Sequence, residues 1–344
     1  MNRTVRQTVR QTMGIATWKA ALVAVLSSLS IVGVAACGFP FDDDELRDIN
    51  DAFVDLEGDA SQSTAAQPEA PESQGTQGTQ TIGEPTTTAE SVTVDGKKRT
   101  FSLTVPPEAT DGARLPLIFV FHGMNESSEV IRDYSNLDLA RAYVVYLDGV
   151  DKAWAPAPYA ATTGEEDLAF VDAVRTKIIA EHNVDTARVF ATGLSNGGGF
   201  AAYIGCQRPV DFTGVATVSA AYYWKVSEKC SSIPMKLLDI HGTDDKVVSY
   251  EGGNRHDTAY HSVPEILEDA ADRNHCSDKI SITQLWTNGI RQVWDDCDAP
   301  LEHVRVGSGT HTWPGGEQDP NESTPDDIAT KEILKFFGVS MRGA

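Results

Sequence analysis

Three side chains, far apart in this 344-residue chain, have the types and neighbours that nucleophilic acyl transfer needs. Ser195 stands at the centre of Gly193-Leu194-Ser195-Asn196-Gly197. The run 187–192 before it (ARVFAT) is β-branched and aromatic, as a buried strand would be. The run 198–204 after it (GGFAAYI) is small and apolar, as a helix packed tightly on a sheet would be. Strand, G-x-S-x-G and helix together describe a sharp turn that lifts the serine hydroxyl clear and aims the next N–H at a reacting carbonyl. Without those neighbours the pentapeptide is only a Gly-rich turn that contains a serine.

A serine hydroxyl is a weak nucleophile at neutral pH; it needs a base, and the base needs an orienting carboxylate. The base is expected at His311, on the Gly-rich loop 307–316 that follows a strand pattern at 303–306. The other histidines have plainer roles. His303 lies inside that strand pattern, His182 ends a helix, and His256, His261 and His275 sit in a polar insertion. His122 and His241 precede glycines at strand ends, where they orient loops. The carboxylate is expected in 236–245 (KLLDIHGTDD), where a strand ends and Asp244 and Asp245 enter the turn. Their residue type alone does not separate the two. Ser, then Asp, then His, each on a turn after a strand, is a known chain order for this machinery. The loop His122-Gly123-Met124-Asn125 follows the apolar run 117–121. Its Met124 N–H and that of Asn196 are the expected donors to an oxyanion.

The elements that must hold these groups can be read from periodicity. A β-hairpin is expected from 91–94 and 99–105 around Asp95-Gly96. The run 115–121 (LPLIFVF) reads as a strand buried on both faces of a parallel sheet. Further strands are expected at 143–147, 188–192, 214–219, 236–240 and 303–306. Helical spacing marks 165–182, and 324–337 reads as a closing helix between Pro325 and Gly338. Strands alternating with helices give an α/β class: a mostly parallel, doubly wound sheet with an N-terminal β-hairpin, in one domain spanning 91–344.

The N-terminal ninety residues read differently. Arg3, Arg6, Arg10 and Lys19 precede an uncharged run at 20–36, shorter than the roughly 20 residues a spanning helix needs. This is a secretory signal over 1–36, and Val34-Ala35-Ala36-Cys37 resembles a bacterial lipobox with Cys37 as the acylated residue. Residues 37–90 read as a flexible tether: no Lys or Arg occurs from Asp48 to Asp95, and Ser, Thr, Gln and Pro dominate. Within it, 42–56 could form a short acidic helix. Cys206, Cys230, Cys276 and Cys297 form an even set suited to an oxidising compartment. The sequence-local pairing is Cys206 with Cys230 and Cys276 with Cys297. No C-x-x-C spacing suggests zinc or redox chemistry. A net charge of −22 repels nucleic acid and anionic lipid and suits a neutral or polymeric substrate.

These motifs together resemble a known family. His122-Gly123, Gly-Leu-Ser-Asn-Gly-Gly at 193–198, His241-Gly242-Thr243-x-Asp245 and His311-Thr312-Trp313-Pro314-Gly315 are similar to the extracellular polyhydroxybutyrate depolymerase and feruloyl esterase group. The resemblance covers roughly 91–338. It implies an α/β-hydrolase fold and selects Asp245 over Asp244 as the orienting acid of Ser195 and His311. It also supports the disulfide pairing above. Two departures bear on specificity and packing. Relatives carry a Trp-Asn pair near the substrate where this chain has Trp154-Ala155, and larger residues where it has Gly198 and Gly199. Trp154, Tyr223 and Trp313 are candidate substrate contacts; Tyr223, in Tyr222-Tyr223-Trp224, serves equally as core packing. The expectation is an exported, lipid-anchored, monomeric serine esterase acting without metal or cofactor on polyhydroxyalkanoate, feruloyl or acetyl esters. An acyltransferase or peptidase on the same triad, or a non-catalytic surface binding protein, are the rivals.

Overall fold

The computed structural model describes residues 83–343. The expected signal at 1–36, Cys37, the acidic helix at 42–56 and most of the tether lie outside the described residues.

The chain opens with β1 (Thr86–Val94) and β2 (Lys97–Val105). Asp95 and Gly96 between them have φ of 49° and 76°, the left-handed pair that a two-residue hairpin requires. The first strand starts at Thr86 rather than at 91, because β2 is long enough to pair Val105 with Thr86. Then come β3 (Leu115–Phe121), α1 (Ser128–Ser135), β4 (Tyr143–Leu147), α2 (Gly164–Glu181), β5 (Val184–Leu194), α3 (Asn196–Gln207), β6 (Gly214–Val218) and β7 (Lys236–Gly242). The small hairpin β8 (Gly253–Arg255) and β9 (Thr258–Tyr260) precedes α4 (Val263–Arg273). The chain closes with β10 (Ile280–Trp286), β11 (Gly289–Trp294), β12 (Leu301–Val306) and α5 (Ile328–Phe337).

Ten strands form one sheet in the order β1-β2-β4-β3-β5-β6-β7-β12-β11-β10. Its six central strands are parallel and its outer pairs antiparallel. Every residue of β3, β4 and β6 is buried, which is why these strands read as unbroken apolar runs. One face packs on α2, α3 and α4 through Phe119, Phe121, Phe170 and Phe200. The other packs on α1 and α5 through Ile118, Val144, Phe190 and Phe337. Helices on both faces of a mostly parallel sheet make this the expected doubly wound α/β architecture.

Three details differ from expectation. The last helix starts at Ile328 rather than 324, after Asp327 adopts φ 56° and interrupts helical geometry. The strand at 188–192 runs from Val184 to Leu194. The β10–β11 hairpin was not foreseen; its first strand is largely exposed and so lacks the clean alternation that marks a half-buried strand. Disulfides join Cys206 to Cys230 and Cys276 to Cys297. The second closes the two ends of that edge hairpin.

α3 lies unusually close to the sheet. A methyl group on Gly197 would overlap the Phe121 carbonyl oxygen, and one on Gly199 would overlap that of Ala221. Backbone rather than flexible side chain is the obstacle, so neither can yield cheaply. Gly199→Ala should therefore cost about 1–3 kcal/mol. Thermal unfolding followed by circular dichroism should show a drop of about 2–12 °C. Gly205→Ala on the same helix, where the added carbon meets side chains alone (Val215 methyls from 3.1 Å and Met235 at 3.4 Å), should fall less. Equal melting temperatures for the two variants would reject this account.

Candidate active site

Ser195 sits between the last residue of β5 and the first of α3, with φ 56° and ψ −116°. This is a left-handed, sparsely populated state for a residue with a side chain. Three backbone bonds of 2.9 Å hold it: Ser195 N–H donates to Val218 O, and its carbonyl accepts from Gly199 and Ala221. The hydroxyl opens into a cavity of about 320 Å³, with no protein partner among the described residues. Its lining includes Gly123, Met124, Leu194, Val247, His311 and Trp313. A larger cavity of about 470 Å³ lies between α3 and α4, but it holds none of the expected reacting groups, so the chemistry selects the smaller one.

His311 brings its imidazole to the same cavity. Its Nδ1 lies 2.7 Å from Asp245 Oδ2, which leaves Nε2 as the nitrogen available to a hydroxyl. The loop that carries it is tied down by short polar contacts: Ser219 Oγ donates to Thr312 O at 3.1 Å, and Gly315 N–H donates to Asp319 at 2.9 Å. The turn after β7 lies directly against this loop. A side chain on Gly242 would overlap the Gly309 carbonyl, so the missing side chain is what lets acid and base turns meet.

The structure separates the two aspartates. Asp245 is buried; its Oδ1 accepts from the N–H groups of Val247 and Val248 at 2.8 Å each, and Oδ2 faces His311. Asp244 is exposed and pairs with Lys246. His241, at the end of β7, donates from Nε2 to Val248 O at 3.0 Å and reaches Asp245 Oδ2 at 3.4 Å. Burial alone would raise the Asp245 pKa, but hydrogen bonds from His241 and His311 and from Val248 hold it far below the ordinary carboxylate range.

Neither Met124 N–H nor Asn196 N–H donates to any group of the described residues, whereas Gly123 N–H is taken by Glu126. The two expected donors are thus free; Asn196 directly follows Ser195, and Met124 lines the same cavity as Ser195. Asn196 is further fixed through its side chain: Oδ1 accepts from Trp154 N–H at 2.8 Å and Nδ2 donates to Trp154 O at 2.9 Å.

That contact corrects one expected substrate residue. Trp154 is fully buried, donates from its indole to His122 O at 3.2 Å, and stacks on Phe200 with ring centroids 5.1 Å apart. Its ring is core, and its backbone is a clamp on Asn196. Tyr223 is likewise buried, packed edge-on to Tyr159 and Tyr260, so of its two readings core packing holds. Trp313 is almost wholly buried too, with its indole donating to Thr330 at 2.9 Å, but it does line the nucleophile's cavity. His122 orients a loop as expected: Nε2 accepts from Gly149 N–H at 3.0 Å, and burial pushes its pKa down.

Sequence reasoning missed several groups. Arg99 and Asp167 form a buried ion pair at 3.0 Å, and Asp167 also accepts from Ala155 N–H at 2.9 Å, beside Trp154. The one hint was an arginine at an inward position of an alternating strand. Glu126 and the buried Asp239–His303 pair left no local signal. No group of three His, Cys, Asp or Glu side chains among the described residues could hold a metal ion.

Residues 99–248 match the family model described as Esterase PHB depolymerase, a span that contains Ser195 and Asp245 but ends before His311. NocK of Nocardia uniformis subsp. tsuyamanensis, whose name assigns it provisionally as an esterase, is 28% identical over 68% of this chain and 76% of its own. "Probable feruloyl esterase C" of Aspergillus niger is 27% identical over 64% of this chain and 79% of its own. Among solved structures, the acetyl xylan esterase from Aspergillus awamori superposes with a TM-score of 0.51 at 13% identity, covering 73% of this chain and 99% of that one. This last likeness establishes the shared fold.

The two aspartates give a direct test. Asp245→Asn should lower kcat by about 10³-fold or more, because the imidazole loses its orienting charge; Asp244→Asn should leave it within about twofold. The same variant tests the acid side. With its folded pKa held below the unfolded value of about 3.9, Asp245 contributes stability above that pH and loses it as pH falls through the folded value. Wild-type melting temperature should therefore drop more steeply below about pH 4 than that of Asp245→Asn. Parallel curves, or a larger kcat loss in Asp244→Asn, would reverse the assignment.

Proposed function

We propose that this chain, whose residues 99–248 match the Esterase PHB depolymerase family model, is an exported serine ester hydrolase with Ser195, His311 and Asp245 as its triad. The observation that carries this reading is the 2.7 Å bond from His311 to a buried Asp245, with His311, Ser195 and Met124 lining one cavity and the N–H groups of Met124 and Asn196 unused.

Ser195 Oγ attacks the ester carbonyl carbon as His311 Nε2 takes its proton. The carbonyl oxygen gathers negative charge and is met by the N–H groups of Met124 and Asn196, each worth on the order of 3 kcal/mol to the barrier. Collapse breaks the ester C–O bond, and His311 returns the proton to the departing alcohol. Water then attacks the acyl-enzyme, losing a proton to His311, and the acid leaves as Ser195 is reprotonated. Asp245 stays ionised throughout and keeps the imidazole in the Nδ1–H form. The apolar cavity walls (Leu194, Val247 and Trp313) suit an acyl or aryl group, in keeping with feruloyl, acetyl and polyhydroxyalkanoate esters as substrates.

Export is supported by the two disulfides and by the basic, then apolar, N-terminal sequence. Within this reading Cys37 is the lipidated residue and 37–90 the tether to a membrane.

Ser195→Ala should melt at the wild-type temperature yet lose at least about 10³-fold in kcat on p-nitrophenyl esters. A fluorophosphonate probe should label the wild type and not the variant. Retention of wild-type ester hydrolysis by Ser195→Ala would overturn the proposal.

A further inference from the structure

The nucleophile's cavity contains a carboxylate that the acyl-transfer steps above leave unused. Glu126 lies on the wall shared by Gly123, Met124 and Ser195. Both of its donors bind one oxygen: Oε2 accepts from Gly123 N–H at 2.8 Å and from the buried Tyr134 hydroxyl at 3.0 Å. Oε1 accepts from no described residue, and it is absent from the buried, partnerless polar atoms, so it remains open to a guest. The placement is built in. Gly123 leaves the space: a side chain there would press within 3.1 Å of Oε2 and 3.2 Å of Cδ. Tyr134, 2% exposed and on α1, fixes the carboxylate from below.

No Lys or Arg lines this cavity, and the chain as a whole is strongly acidic. A substrate group beside the scissile bond therefore meets a negative charge that no cation on the wall offsets. Such a site favours a cation and works against a second carboxylate, whose approach would put like charges together. The neutral Gln isostere could still accept from Gly123 and Tyr134, but it would offer no charge.

From this geometry, and resting on the hydrolase reading above, we propose that Glu126 is a specificity-determining residue. It makes the site select by charge: esters carrying a cationic group next to the scissile bond are accepted, and esters carrying a carboxylate there are refused. The acid released by each turnover is repelled from the same wall.

Hydrolysis of acetylcholine, its neutral isostere 3,3-dimethylbutyl acetate and 3-acetoxypropionate, followed by pH-stat, tests this in the wild type and in Glu126→Gln. The wild type should rank cation above neutral above anion in kcat/KM, with roughly a tenfold or greater spread between the extremes. In Glu126→Gln that spread should collapse toward unity. A wild type that is indifferent to charge, or that prefers the anion, overturns the inference even if the variant does not fold. An unchanged ranking in a folded Glu126→Gln overturns it as well. Absence of hydrolysis of all three esters and of p-nitrophenyl acetate, with no fluorophosphonate labelling, would instead remove the hydrolase reading beneath it.

Discussion

The backbone at Ser195 is the constraint on which the rest depends. At φ 56° and ψ −116° a residue with a side chain is strained by about 1–3 kcal/mol, and only surrounding structure can hold it there. That structure is the close seating of α3 on the ends of β3 and β6, possible because Gly197 and Gly199 present bare backbone to the Phe121 and Ala221 carbonyls. The same contact has a second effect. By pulling the end of β3 against the first turn of α3, it brings the loop bearing Met124 beside Asn196. Strain at Ser195 and the approach of the Met124 loop to the start of α3 are thus one packing event. Widening the gap between α3 and β3 would relax the serine and part the donors together.

Around that contact the molecule spends buried polar groups on orientation. Asn196 is gripped through both ends of its amide by the backbone of Trp154, whose ring is locked between Phe121 and Phe200. The next residue, Ala155, is held by Asp167, and Asp167 by Arg99 from β2. Burial pushes the Asp167 carboxyl up, against the opposing pull of Thr162, Ala155 and Arg99. A buried pair of this kind is poor evidence for net stability, since desolvation consumes most of the attraction. Its directional bonds still define where the 153–157 segment lies, and through it where the Asn196 N–H points.

The proposed reacting groups were legible in the sequence because each sits where backbone geometry dictates residue type. A sharp strand-to-helix turn leaves glycines around Ser195, and a loop meeting another loop leaves Gly242 and Gly309 beside Asp245 and His311. The central strands were legible because burial on both faces removes polar residues altogether. What could not be read depends on contacts distant in sequence. Trp154 has the residue type of a substrate wall, and only packing with Phe200, 46 positions on, makes it core. Residue type alone left Asp244 and Asp245 equivalent. Burial and the bond to His311, 66 positions on, distinguish them, and neither property is local to the pair. The β10–β11 hairpin escaped because one of its strands faces solvent on most positions, so no apolar period identifies it.

The acid side of the site follows a similar logic at the level of charge. Asp239 and His241 lie two apart on β7 and so share a face of the sheet, and His303 is the register partner of Asp239 on β12. Asp239 is fully buried; its Oδ1 accepts from Tyr222 at 2.5 Å and Thr217 at 3.0 Å, and Oδ2 lies 2.9 Å from His303 Nδ1. Despite that burial, His303 and His241 hold its pKa low. His241 stands between Asp239 and Asp245; burial would depress its pKa, but the two carboxylates together raise it. Each buried carboxylate therefore has an imidazole and at least two fixed donors, and neither gains from taking up a proton near neutral pH. A carboxylate that stays ionised near neutral pH can only accept, so Asp245 there holds His311 by Nδ1 and leaves Nε2 free. In the proposed reaction the moving proton is then confined to Ser195, His311 and substrate, and the buried polar layer below would keep it there.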